Sequence, residues 1–315
     1  ALPGHPSVDI IDASAGENKL LILASSDTNP GTLYLFDKTS KALEEVLPMR
    51  NELVGMQLAP MQSVTYTAAD GTQVPAYLTL PLGSSGKGLP AIVMPHGGPS
   101  SRDEWGFDWL VQYFAARGYA VLQPNYRGSA GYGTAWYKQN GFKSWRTAIG
   151  DVNDAGRWLV QQGIAAPDKL GIVGWSYGGY AALQSQVLDP DLYKAVIAIA
   201  PVTDLERLRQ NASQFVDFTL EDKFIGNGPH IREGSPAQNA ERFKAPVLIF
   251  HGDYDQNVDV SQSQLMASRL RGKGKAVTYV EFPQQSHQLY DAAVRQQVLS
   301  DSDRFLRQAF GLPAD

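Results

Sequence analysis

The stretch Gly174-Trp175-Ser176-Tyr177-Gly178-Gly179 constrains this chain most, because it joins two segments that favour different backbone structures. Lys169 to Val173 before it is a short apolar run of strand type, and Tyr180 to Gln184 after it has helical character. Glycines on either side of Ser176 allow the sharp, close-packed turn that such a junction needs. The turn projects the serine from the end of a sheet and aims the unpaired N–H groups of the helix N-terminus at it. Glycine and serine are common, so the pattern alone is weak, and its placement between strand and helix gives it weight.

A serine hydroxyl is a poor nucleophile at neutral pH unless a base takes its proton and an acid orients the base. Both types of residue follow in the chain. Pro246 to Phe250 reads as a buried strand and ends in His251-Gly252-Asp253-Tyr254-Asp255; Ala276 to Phe282 reads as another and leads to His287. The three candidates thus follow strands, on loops at one edge of a parallel sheet, where α/β folds collect their sites. Their order, Ser, Asp, His, is that of α/β hydrolases. The expected fold is therefore an α/β-hydrolase fold, a mostly parallel central sheet with helices on both faces. His287 is the candidate base. His5 and His230 fall in turn-rich, solvated stretches, while His96 and His251 end strands before glycine, where a ring more often bonds loop backbone. Asp253 and Asp255 both lie on the right loop for the acid. A metal site from His251, Asp253 and Asp255 would lack a further histidine or cysteine, and none is expected.

Composition excludes several other classes. With 315 residues, 43% hydrophobic and 19% charged, and a formal net charge of −5, the chain can build a large core and offers no basic run for nucleic acid. It contains no cysteine, so disulfides and thiolate metal sites are ruled out. No apolar run approaches the ~20 residues that span a bilayer, and Ala1 to Pro6 do not resemble a signal peptide. The expectation is a soluble chain, cytoplasmic or periplasmic.

Residues 1–60 differ in texture from 61–315. Lys19 to Ala24, Thr32 to Phe36 and Leu43 to Leu47 are three short strands joined by turns, too small a sheet to hold a core of its own. Beyond them, Val64 to Thr67 and Val74 to Leu80 flank Asp70-Gly71 as an antiparallel hairpin, with Pro75 suggesting an edge strand. Strands at Ala91 to Met94 and Tyr119 to Gln123 then alternate with helices at Trp105 to Ala116, Asp151 to Gln162, Val260 to Leu270 and Leu289 to Phe310. The glycine-rich loop Asn125 to Gly133 lacks the spacing of a phosphate cradle. Pro201 to Lys244 reads as a long irregular excursion that forms the wall of a substrate pocket.

The developing oxyanion of an acyl transfer needs two donors set in place beforehand. The backbone N–H of Tyr177 supplies one from the turn itself. Gly98, in the loop His96-Gly97-Gly98-Pro99 after the Ala91 strand, is the choice for the second, and a contribution from the His96 side chain is left open.

Four stretches together, His96 to Pro99, Asn125 to Ser129, Gly174 to Tyr180 and His251 to Val258, resemble the prolyl oligopeptidase family of serine peptidases, nearest its acylaminoacyl and dipeptidyl peptidase branches. The resemblance runs over residues 60 to 315. It implies hydrolysis of short peptides through an acyl-enzyme, without a cofactor, and makes Asp255 the acid. It also implies that Asn257 contacts a substrate carbonyl and that Tyr177, Val202 and Val258 line the apolar S1 pocket. Leu205 and Leu208 would reshape that pocket unless they are plain core. The family's prolyl oligopeptidases proper and dipeptidyl peptidases place a tyrosine hydroxyl in the oxyanion hole, and His96 stands there here, favouring two backbone donors. In the family a β-propeller covers the site, and residues 1–60 look like its final blade; the rest of such a propeller is not among these residues. An apolar patch on the propeller-facing surface would promote association into a homo-oligomer. A carboxylesterase on the same fold is the alternative activity, and a binding module with a vestigial site is disfavoured by the intact triad.

Overall fold

The computed structural model describes residues 6–139, 141–213 and 218–314, so His5 lies outside them. Its main sheet has eight strands in the order β12-β11-β10-β9-β7-β8-β6-β5. These are β5 (Met61–Thr67), β6 (Gln73–Thr79), β7 (Leu89–Val93), β8 (Ala120–Pro124), β9 (Ala165–Trp175), β10 (Ala195–Ile199), β11 (Val247–Gly252) and β12 (Val277–Phe282). From β7 to β12 every neighbouring pair is parallel, whereas β5–β6 and β6–β8 are antiparallel. The difference has a local cause: the Asp70-Gly71 turn sends β6 straight back along β5, while the later strands are joined by crossovers that carry helices.

The parallel strands are apolar on both faces, and alternate residues enter two separate cores. Ala91, Val93, Val196, Ala198, Val247 and Ile249 pack into one, and Ile92, Ala195, Ile197, Leu248 and Phe250 into the other. Helix α1 (Trp109–Ala116) covers the second core with Leu110 and Phe114. After the short α2 (Thr134–Tyr137), helices α3 (Trp145–Gln161) and α4 (Tyr177–Leu188) cover the first with Ile149, Val152, Ala181 and Leu183.

Three departures from the sequence reading have simple causes. Pro75 lies not on an edge strand but in β6; pairing with β8 begins only at Ala76, so its missing N–H costs no bond there, and the Asn125 amide donates to its carbonyl at 2.9 Å. Helix α1 starts at Trp109 rather than Trp105 because the Asp108 carboxylate caps the Leu110 and Val111 amides. The stretch after Pro201 is not irregular. It holds α5 (Leu205–Ala212), α6 (Phe218–Ile225), α7 (His230–Glu233) and a 3-10 segment (Pro236–Arg242). Then come α8 (Ser261–Gly272) and α9 (Ala292–Phe310), the latter begun by an Asp291 cap on the Ala293 and Val294 amides.

The N-terminal segment forms a separate antiparallel sheet of four strands, β1 (Ser7–Ala13), β2 (Lys19–Ser26), β3 (Asn29–Asp37) and β4 (Leu43–Pro48). β1 goes beyond the three strands expected. Polar bonds tie this small sheet to the larger domain. The Gln112 side chain of α1 donates to the carbonyls of Ala59 (2.8 Å) and Asp27 (3.2 Å) and accepts from the Ala59 amide (3.0 Å). Asp27 in turn accepts from the Met61 amide at 2.7 Å. Among the described residues no helix is long and apolar enough to cross a membrane.

Candidate active site

Ser176 sits between β9 and α4 with φ 59° and ψ −121°, a left-handed conformation that costs a side-chain-bearing residue on the order of 1 kcal/mol. Its neighbours make room for that turn. A Cβ on Gly174 would collide with the Gly178 carbonyl, and one on Gly178 with the Pro95 carbonyl. The Ser176 amide is anchored to the Ile199 carbonyl at 2.8 Å, and the first helical bond of α4 runs from the Tyr180 amide to the Ser176 carbonyl. The Tyr177, Gly178 and Gly179 amides precede that bond, leaving the helix N-terminus open toward the serine.

Asp255 follows β11 and His287 follows β12, with β10 interposed between these strands and β9. His287 Nδ1 donates to Asp255 Oδ2 at 2.6 Å, which fixes Nδ1–H and leaves Nε2 with the lone pair a base requires. The Trp175 indole holds the same residue from behind, donating to the His287 carbonyl at 3.0 Å. Asp255 Oδ1 accepts from the Asn257 (2.8 Å) and Val258 (2.9 Å) amides. Burial opposes ionisation of Asp255, but the hydrogen bonds from His251, His287 and the Val258 amide outweigh it and hold the carboxyl well below the usual range. Asp253, the other acid weighed on this loop, caps the Gln284 amide at 2.6 Å.

His251 has more than a loop-backbone contact. Fully buried, it bonds the Val258 carbonyl (2.9 Å) and Asp255 Oδ2 (3.1 Å) through Nε2, and Ser263 Oγ (2.7 Å) through Nδ1. The carbonyl accepts, so Nε2 carries the hydrogen and the Ser263 hydroxyl donates to Nδ1. Sequence reasoning placed His251 beside the acid and missed this role; the i, i+4 spacing to Asp255 around Gly252 is the signal that was available.

The His96 ring lies stacked on Tyr126 at 4.3 Å, with Nδ1 donating to the Gly97 carbonyl (2.7 Å) and Nε2 bonded to Ser129 Oγ (2.7 Å). Burial pushes its pKa down to about 4, so it is neutral, and it has no N–H left for an oxyanion. Gly98, at φ +120°, lines the same cavity as Ser176 and Tyr177.

That cavity, about 520 Å³, is also walled by Val202, Leu208, Asn257 and Val258. Leu205 is not part of it. The Asp204 cap starts α5 at Leu205, whose side chain is fully buried in the core, and Leu208 reaches the wall. Unforeseen wall residues are Phe142, from the segment before α3, and Leu220, Glu221, Phe224 and Ile225 of α6. Among the described residues no cluster of three histidine or acidic side chains could hold a metal.

The mostly parallel sheet, with Ser176, Asp255 and His287 on loops at one edge of it, is the architecture of the α/β hydrolases. The chain belongs to the prolyl oligopeptidase family, whose model matches residues 105–313. It is 29% identical to dipeptidyl aminopeptidase BIII of Pseudoxanthomonas mexicana, over 98% of this chain and 47% of that protein. A puromycin-hydrolyzing peptidase of Mycobacterium tuberculosis superposes with a TM-score of 0.83 at 28% identity, over 94% of this chain and 46% of that one. The Pyrococcus horikoshii acylaminoacyl peptidase, at 23% identity and TM-score 0.83 over 97% of this chain and 50% of that one, shares the fold. The chain thus spans about half the length of these relatives.

Proposed function

We propose that residues 61–315 are the catalytic domain of a serine peptidase that cleaves short peptides, and that residues 1–60 belong to a β-propeller beside it. The observation that carries the reading is the 2.6 Å bond from His287 Nδ1 to Asp255, with Ser176 raised on a strained turn on the same sheet edge. In this reading Ser176 Oγ attacks the scissile carbonyl while His287 Nε2 takes its proton. The Tyr177 and Gly98 amides receive the oxyanion. His287 then returns the proton to the leaving amine, and the acyl-enzyme is hydrolysed by a water that His287 deprotonates. Asp255 keeps its charge throughout and steadies the imidazolium. Asn257 contacts a substrate carbonyl, and Val202, Val258 and Leu208 enclose the side chain beside it.

The names of the relatives agree with this reading: a dipeptidyl aminopeptidase, a puromycin-hydrolyzing peptidase and an acylaminoacyl peptidase. Ile10, Val46 and Met56, each at least half exposed in the N-terminal segment, would favour association of copies into a homo-oligomer.

The test has two parts. A fluorophosphonate probe labels the wild-type chain and fails to label Ser176→Ala. Peptide anilides are then hydrolysed at rates comparable with those of p-nitrophenyl esters. Labelling that persists in Ser176→Ala removes the nucleophile assignment, and cleavage of esters alone turns the reading toward a carboxylesterase.

A further inference from the structure

The loop that carries His287 runs from the end of β12 at Phe282 to the start of α9 at Ala292. Just past the histidine its backbone is unfavourably bent: Leu289, whose side chain is fully buried, takes a left-handed φ of 44°. Three consecutive carbonyls are held by side chains there. The Trp175 indole donates to that of His287 at 3.0 Å, and the Arg295 guanidinium of α9 donates to those of Gln288 (3.2 Å, through Nη2) and Leu289 (2.8 Å, through Nε). Trp109 joins the two clamps. Its ring meets Trp175 edge-on at 6.5 Å, and the Arg295 guanidinium lies over it at 5.1 Å and over Tyr290 at 5.5 Å.

Bonding two adjacent carbonyls while stacking on an indole takes donors set in a flat fork, which arginine has and lysine lacks. The Leu289 amide also donates to the Ser286 carbonyl at 3.1 Å, closing a turn with His287 inside it, so a shift of Leu289 is passed to the histidine. Position matters for a base. His287 must keep Nδ1 on Asp255 while Nε2 takes and returns a proton, and a misplacement of about 1 Å can cost on the order of 10²-fold in rate. Without the guanidinium, Leu289 would relax from its left-handed turn and carry the His287 backbone with it. We propose that Arg295 is a positioning residue for the base, keeping His287 seated on Asp255 from outside the site, an inference that rests on the triad reading above.

The test measures kcat and KM for a p-nitrophenyl ester, per fluorophosphonate-titratable site, in the wild type, in Arg295→Met, which keeps the apolar stem, and in Arg295→Lys, which keeps the charge. Arg295→Met is expected to lose about tenfold to 10²-fold in kcat with KM within about twofold of wild type. Arg295→Lys, able to hold one carbonyl, should fall between the two. Proton NMR adds a readout that a purely structural role would leave alone. The far-downfield Nδ1 proton of His287, identified by its absence from His287→Gln, should broaden or vanish in Arg295→Met while the circular dichroism stays that of the wild type. An unchanged kcat, a loss confined to KM, or an intact proton signal in Arg295→Met overturns the proposal. If the wild type is neither labelled nor active, the triad reading fails, and the NMR comparison alone then decides whether Arg295 seats His287 on Asp255.

Discussion

His251 Nε2 and His287 Nδ1 bond the same oxygen, Asp255 Oδ2, at 3.1 and 2.6 Å. One ring comes from the loop after β12, and the other is sealed in the core against Ser263. The acid is therefore gripped from both sides. Replacing His251 by Phe removes the inner grip and leaves the Val258 carbonyl and the Ser263 hydroxyl without this partner. We expect a loss of about 1–3 kcal/mol in stability by denaturant titration and a fall in kcat of roughly tenfold or more with KM little changed.

Asp255→Asn tests the outer grip. The amide can present its N–H to His287 Nδ1 and so favour the wrong tautomer, with the hydrogen on Nε2. A fall in kcat of about 10⁴-fold is expected, with the fold retained by circular dichroism. A loss of only a few-fold would mean that Asp255 does not orient the base.

His96 governs a pH dependence of stability. Its folded pKa is about 4 because the ring is buried, and the unfolded value is near 6.5. Between these values the unfolded chain binds a proton that the folded chain refuses, so stability falls as pH drops from about 6.5 to about 4 and this contribution is flat outside that window. The span amounts to roughly 3 kcal/mol. Urea titrations of wild type and His96→Gln across the window should show a shallower slope in the variant.

Gly178→Ala should abolish folding or activity outright, since its Cβ would enter the Pro95 carbonyl and its nearest neighbours, in Pro95 and His96, are all backbone atoms that cannot swing aside. Failure to recover soluble protein, or recovery without fluorophosphonate labelling, is the expected outcome.

Gln112→Leu addresses the joint between the two sheets. The change leaves the Ala59 amide and the carbonyls of Ala59 and Asp27 without the partners Gln112 supplies, at a cost of about 1–3 kcal/mol. Faster hydrogen exchange at Ala59 and Met61, with little change in β9 and β10, is the expected signature.

Much of the candidate site was legible because strand-turn chemistry is local. The elbow around Ser176 is written in its glycines, and the order Ser, Asp, His follows from runs of β-type residues with loops at their ends. What escaped the sequence depends on packing between segments far apart. Phe142 joins Phe224 only because the segment before α3 meets α6, and Leu205 differs from Leu208 only in which way the Asp204-capped helix turns. The helices after Pro201 were missed because a charged, mixed segment shows little periodicity until its partners are known. Pro75 misled because the rule it invokes concerns N–H bonds, and β8 stops pairing before reaching it.

The four N–H donors on Asp255, two from backbone and two from imidazoles, occupy the roughly four lone-pair directions that a carboxylate offers. So many donors make the carboxylate a weak base, which keeps the hydrogen of the His287 bond on Nδ1 rather than on the oxygen. In the proposed mechanism one hydrogen is then in flight during the chemical step, the one passing between Ser176 and His287. Rates measured in mixtures of H2O and D2O should accordingly fall on a straight line against deuterium fraction, whereas a second moving proton would bow that line downward.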